Sequence, residues 1–223
     1  KKVITLKAAD EAEVLFGCLF RCNNADATGG GIVLDGVKVS ITDSYFINLD
    51  AYGDIRLIAM KNCEIINIAR CFLRTNGTGR FIEDIEFYNC LIHDCGSGGW
   101  NFMYPKHTVK RVTTKDCTLF NYANGESFFF ANGADASNDF VFVFTNNTVY
   151  KWGKSNDRAL CKTEGKYSGN SVYTFADNIV YKGGADNVKP QMIQATSGTL
   201  VAQNNLVVGY GGYNMGGAAV TTI

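Results

Sequence analysis

The residues of this 223-residue chain that could do chemistry are few, and their spacing separates the kinds of chemistry open to them. His93 and Asp94 adjoin Cys95, and His107 follows Pro105 closely, a grouping that suggests a nucleophile and its base. Alternation along an extended strand puts His93 and Cys95 on one side and Asp94 on the other. A triad would then need partners from elsewhere in the chain, and His93 is expected instead to share a column with Ile66, Phe120, Tyr150 and Tyr181. Paired carboxylates would carry glycoside hydrolysis, but Glu126, Asp135, Asp139, Asp157 and Glu164 stand singly in polar stretches and read as turn residues. Eight cysteines without a CxxC pair argue against zinc or redox chemistry. No dense acidic loop marks calcium, so no metal and no cofactor are expected. What remains is the chemistry of cations beside aromatic rings. Arg74, Phe130, Lys162 and Gln194 close four similar segments, Cys71-Phe-Leu-Arg74, Ser127-Phe-Phe-Phe130, Ala159-Leu-Cys-Lys162 and Gln191-Met-Ile-Gln194. With Trp100 and Tyr104 they suit an acidic glycan, the rings stacking on sugars and the cations pairing with carboxylate or sulfate.

The elements that must hold these residues show themselves by repetition. Asn or Asp, a small residue, any residue, then an aliphatic or Phe recurs at Asp43, Asn62, Asn89, Asp116, Asn146, Asp177 and Asn204, at intervals of 19, 27, 27, 30, 31 and 27 residues. The fourth position holds Phe46, Ile65, Ile92, Leu119, Val149, Val180 and Val207, and the second holds Ser44, Cys63, Cys90, Cys117, Asn147, Asn178 and Asn205. Alternating apolar runs such as Phe140-Val-Phe-Val-Phe144 precede each motif and read as strands. The Asn or Asp marks a corner, because these residues tolerate a left-handed backbone. Three short strands per repeat describe one turn of an all-β, right-handed parallel β-helix of seven to eight turns. Equivalent residues then stack: the aliphatic column fills the core, Cys63, Cys90 and Cys117 stand in line as small core residues, and Asn147, Asn178 and Asn205 form an amide ladder. The 19-residue step is too short for a full turn. An antiparallel sandwich is the rival architecture, but sandwiches do not repeat side-chain identity at a fixed offset.

The opening, Val3-Ile-Thr-Leu-Lys-Ala followed by Val14-Leu-Phe16 and Ile32-Val-Leu-Asp-Gly-Val-Lys-Val39, resembles the first turns of the chondroitinase-B and alginate-lyase family of the pectate-lyase-like superfamily. It is also similar to secreted β-helix domains of Bacteroidetes. The resemblance implies binding of polysaccharide on an outer parallel sheet, and a lyase in which a lysine acts as base beside calcium-binding carboxylates. Lys162 matches that lysine. Arg158 and Leu160 stand where the calcium carboxylates would be, and Gln191-Met-Ile-Gln194 in the next turn supplies no arginine. Calcium is the one cation the resemblance would bring. Arg158 could then neutralise a uronate itself, with Lys162 as base on the same side of the strand.

Composition narrows the class further. Lys and Arg number 21 against 21 Asp and Glu, which removes the basic excess a nucleic-acid partner requires, and no apolar run reaches the 18 residues of a spanning helix. The sequence therefore predicts a single domain over 1–223, with N-terminal turns or a cap at 1–42, regular repeats at 43–209 and a tail at 210–223, monomeric and part of a longer protein. The expected function is that of a secreted, periplasmic or bacterial cell-surface module. It binds acidic polysaccharide without cleavage through Arg74, Trp100, Tyr104, Phe130, Lys162 and Gln194. A polysaccharide lyase using Lys162 and Arg158, and a spacer or adhesin segment, are the alternatives.

Overall fold

Asn62, Asn89, Asp116, Asn146, Asp177 and Asn204 all carry positive φ, between 50° and 59°. That left-handed backbone bends the chain sharply at one point in each repeat. Before each corner runs a strand of a first sheet (Ile55–Lys61, Phe81–Tyr88, Thr108–Lys115, Val141–Thr145, Val172–Ala176 and Thr199–Gln203). After it comes a shorter strand of a second sheet (Glu64–Ile66, Leu91–His93, Thr118–Tyr122, Thr148–Trp152, Ile179–Tyr181 and Leu206–Val208). A third sheet closes each turn, with strands that include Tyr45–Leu49, Cys71–Thr75, Met103–Tyr104, Phe129–Phe130, Ala159–Lys162 and Gln191–Gln194. The computed structural model describes residues 2–9, 13–17, 19–22, 28–42, 45–49, 53–122, 124–156, 158–183, 188–216 and 220–222. Over these it is a parallel β-helix of about seven turns and three sheets of nine, eight and eight strands, without a helix. Strands of successive turns pair in parallel, as in Ile85 opposite Ile58 and Val112, which no antiparallel sandwich does. Among the described residues no helix is long and apolar enough to cross a membrane.

The core is built from stacked columns. Val39, Ile65, Ile92, Leu119, Val149 and Val180 lie in register and are fully buried. Facing them, Phe46, Phe72, Phe102 and Phe128 stack turn upon turn with centroids 5.1–5.4 Å apart. Each such side chain contributes about 1.5–3 kcal/mol by leaving water.

Phe46 therefore corrects the sequence reading. Tyr45–Leu49 pairs with Cys71–Thr75 in the third sheet, so the motif at Asp43 is not a corner of the series, and Asp43 and Ser44 themselves lie outside the described residues. The corner before Asn62 is Gly36, with φ of 70°, whose N–H bonds Lys61 as that of Asn62 bonds Tyr88. Val37 and Val39 then take the places assigned to Ser44 and Phe46, and the 19-residue step disappears. Strands also occupy both ends: Val3–Lys7 pairs with Gly30–Asp35, while Tyr213–Asn214 and Val220–Thr222 extend the third and first sheets through the segment expected as a tail.

The polar column beside the corners is continuous. Oδ1 of Asn147, Asn178 and Asn205 accepts the backbone N–H of Cys117, Asn147 and Asn178 at 2.9, 2.9 and 3.1 Å. Each Nδ2 donates back to a carbonyl of the preceding turn, at Thr114, Phe144 and Phe175. The cysteines do the same with sulfur. Sγ of Cys117 accepts the Cys90 N–H at 3.3 Å, and Sγ of Cys63 and Cys90 lies 3.4 Å from the Leu34 and Met60 carbonyls. Thiol and amide thus fill one structural role, the thiol through weaker bonds. Cys63, Cys71, Cys90, Cys95, Cys117 and Cys161 are buried and free. Hydrogen bonding between neighbouring thiols and burial push Cys63 up and Cys90 up to about 12, which keeps both protonated and unreactive.

Candidate functional site

The third sheet departs from strict alternation. Two consecutive residues are buried in the core in each turn, as in Phe72 and Leu73, Phe128 and Phe129, Leu160 and Cys161, or Met192 and Ile193. The next residue turns to the outer face. Asn48, Arg74 and Tyr104 stand in register, as do Phe130, Lys162 and Gln194, and the Tyr104 and Phe130 rings stack at 5.3 Å to join them into one column. Trp100 sits beside it, edge to face with Tyr104 at 6.0 Å.

Two expectations for this column change. Tyr104 and Phe130 were expected to offer their faces to sugars, but those faces lie against each other, and the Lys162 Nζ stands over Phe130 at 5.6 Å. The rings present edges. Lys162 was expected to stand in an open groove, yet it is only 7% exposed, enclosed by Phe130 and by Glu164, whose Oε2 is 3.3 Å from Nζ. Gln194 Nε2 donates to the same Glu164 carboxylate. Arg158 does not share an open strand face with Lys162 either, since Leu160 between them is buried in the core. Its Nε donates instead to Glu126 at 2.9 Å, and Lys154 approaches the same carboxylate at 3.8 Å. Burial, then the Glu126 charge, raises the Tyr104 phenol above its ordinary range, with Arg158 and Arg74 opposing.

At the other end of the column the sequence hid two members. Nη1 of Arg74 and Nη1 of Arg70 both donate to the Tyr45 hydroxyl, at 3.1 and 3.3 Å. Arg74 lies over the Tyr45 ring at 5.0 Å and Arg70 over Trp100 at 5.4 Å, both within cation–π range. This end is anchored from beneath by Tyr122, whose hydroxyl lies 2.7 Å from the Trp100 carbonyl and 3.3 Å from that of Arg70. Tyr122 is fully buried, stacks on Trp152 at 4.2 Å and passes between two glycines. A Cβ on Gly125 would come within 1.7 Å of its ring, and one on Gly96 within 2.6 Å.

The histidines make no nucleophilic site. His93 lies in register with Ile66, Phe120, Tyr150 and Tyr181, stacked on Phe120 at 4.6 Å. Its Nδ1 faces Asp94 at 2.7 Å and its Nε2 faces Glu64 at 3.1 Å, so both ring nitrogens are engaged by carboxylates. The His93 bond is the main cause holding Asp94 below the usual carboxylate range. Cys95 does not share the side of His93: Asp94 has φ of 51°, which breaks the alternation and turns Cys95 into the core. His107 is 1% exposed, with Nε2 3.3 Å from the Gly53 carbonyl. Of the turn carboxylates, Glu126 and Glu164 hold the cations above, Asp135 caps its own loop at the Ser137 N–H, Asp139 bonds Ser168, and Asp157 lies outside the described residues. Among the described residues no group of three or more His, Cys, Asp or Glu is placed to hold a metal ion.

An apolar cavity of about 430 Å³ opens at the N-terminal end between the first and third sheets, on the core side of the strand that carries Asn48. Ile4 and Leu6 pair with Ile32 and Leu34 and so face inward, yet they are 60% and 39% exposed. The cavity is the open end of the core.

No family model, no curated protein and no solved structure matches the chain. The fold alone sets its class, a parallel β-helix that carries one mixed cationic, aromatic and amide column on its third sheet.

Proposed function

We propose that the chain is an extracellular or cell-surface glycan-interacting module that binds acidic polysaccharide along the outer face of its third sheet without cleaving it. One observation carries this reading. Oδ1 of Asn48 and Oε1 of Gln194, near the two ends of the column, are buried acceptors without a hydrogen-bond partner. A buried acceptor left unpaired costs about 1–3 kcal/mol; both side chains are only half-buried, so a small turn would bring each oxygen to a sugar hydroxyl as its donor. The cations between them supply attraction for an anionic chain, and the ring edges of Tyr104 and Phe130 supply apolar contact. The likeness of the opening strands to polysaccharide lyases of the pectate-lyase-like superfamily supports the same partner. Binding without turnover is favoured because the two groups that would do lyase chemistry are already engaged, Arg158 by Glu126 and Lys162 by Glu164. A uronate would have to displace both carboxylates before reaction.

Affinity electrophoresis through gels containing alginate, pectate or chondroitin tests the proposal. Retardation is expected, weakened by salt, by Lys162→Ala and by Gln194→Ala, with no rise in the ultraviolet absorbance of an unsaturated uronate. That absorbance, lost in Lys162→Ala, would replace the binding module with a lyase. Unretarded migration in all three gels would overturn the glycan reading.

A further inference from the structure

The Arg70 and Arg74 guanidiniums aim at one point. Their Nη1 atoms stand 3.3 and 3.1 Å from the single Tyr45 hydroxyl oxygen, which accepts from both. Among the described residues neither arginine forms an ion pair with a carboxylate, whereas Lys154, Arg158 and Lys162 on the same face do so at 3.8, 2.9 and 3.3 Å. Like charges brought together repel unless an anion joins them, and a neutral phenol oxygen neutralises neither. Arginine is also the residue suited to such a partner, since its planar fork donates in parallel to the oxygens of phosphate or carboxylate.

The charge count selects the anion. One guanidinium satisfies a carboxylate through two parallel bonds. Two guanidiniums on one point match a group with three terminal oxygens and close to two negative charges, which a phosphomonoester has at neutral pH. A sulfate ester presents the same shape with one charge fewer. We propose that Arg70, Arg74 and Tyr45 form a phosphomonoester-binding site, with Trp100 as the adjoining wall. The site is preorganised, because the Tyr122 hydroxyl reaches the Arg70 and Trp100 carbonyls together, and Gly96 and Gly125 leave its ring the room that a Cβ would take. The site shares Arg74 and Trp100 with the polysaccharide column but uses neither Lys162 nor Gln194, so variants at those two positions test the polysaccharide reading alone.

Titration of the whole chain with inorganic phosphate, glucose 6-phosphate and glucose 6-sulfate tests it, followed by calorimetry and by the emission of Trp100, over which Arg70 lies. Glucose 6-phosphate is expected to bind about tenfold more tightly than glucose 6-sulfate, the loss of one charge-assisted contact. Arg70→Ala and Arg74→Ala should each remove that preference while leaving the urea midpoint close to that of the parent. Arg70→Lys and Arg74→Lys, which keep charge but lose the fork, should fall between. Inorganic phosphate binding as tightly as the sugar phosphate would support the site with free phosphate as its ligand. Equal affinity for the phosphate and sulfate esters, or no binding of either phosphate compound, would overturn it. Phosphate binding unchanged in all four arginine variants would overturn it as well. Gel retardation by polysaccharide that survives Arg74→Ala would leave the glycan reading untouched by any of these results.

Discussion

Asn178→Ala probes the ladder where it is most buried. Asn178 is 1% exposed, and its Oδ1 is the acceptor for the Asn147 N–H at 2.9 Å, while its Nδ2 donates to the Phe144 carbonyl at 2.9 Å. Alanine leaves the N–H without an acceptor in a place water does not reach, a cost of about 1–3 kcal/mol, and losing the second bond adds about 0.5–1.5 kcal/mol. The expected loss is about 1.5–4.5 kcal/mol. Packing alone would give some loss too, so Asn178→Cys is the informative companion. In the turns below, cysteine already supplies both functions: Sγ of Cys117 accepts the Cys90 N–H, and Sγ of Cys90 reaches the Met60 carbonyl. Cysteine at 178 should therefore restore acceptor and donor, if weakly, and cost about 1 kcal/mol. Urea titrations followed by circular dichroism would read the order parent, Cys, Ala in their midpoints. An alanine variant within about 0.5 kcal/mol of the parent, or a cysteine variant no more stable than alanine, would refute the ladder as a hydrogen-bonding device.

Burial holds the His107 imidazolium below its usual range, against the pull of the Gly53 carbonyl. The unfolded chain therefore binds the proton first, and stability should be complete above about pH 6.5 and decline as pH falls from there toward the folded value. Urea midpoints across that window should flatten in His107→Gln, and an unchanged slope would assign the acid response elsewhere. Gly125→Ala, whose methyl would overlap the Tyr122 ring, should lower stability by about 1–3 kcal/mol and weaken phosphate binding through Arg70 and Trp100. Gly169→Ala, which meets nothing within 4 Å, is its neutral control, and equal behaviour of the two would refute the anchoring role of Tyr122.

The architecture was legible because a solenoid repeats side-chain identity as well as pattern: an asparagine or aspartate turns the chain six times, and an aliphatic fills the core behind it. Gly36 escaped because glycine adopts the left-handed backbone without announcing it as asparagine does, and the sequence Asp43-Ser-Tyr-Phe imitated the corner although its Tyr45 and Phe46 belong to a third-sheet strand. A second set of left-handed positions, Asn67, Asp94, Asn121 and Lys151, bends the chain at or just past the second-sheet strands and escaped for want of a search five residues past each corner. The column of Arg74, Phe130, Lys162 and Gln194 could be read from the offset within four similar segments. Arg70 and Tyr45 could not, because Arg70 lies in the loop before its strand, and Tyr45 pairs with Cys71 rather than with Arg74. Their meeting is made by side-chain reach across one turn. The enclosure of Lys162 was equally invisible, since it follows from Glu164 folding back beside the strand it has just left.

Because each third-sheet strand sends a residue outward after two that point into the core, one column of the outer face carries a single symbol per turn: Asn48, Arg74, Tyr104, Phe130, Lys162, Gln194. Such a face is written along the axis like a line of text, and its letters are set by segments that touch only the turns above and below. Duplicating or losing one whole turn would lengthen or shorten the line without shifting the frame of the rest. Exchanging one letter would alter what is read at a single place along a bound polymer while the core behind it stayed the same.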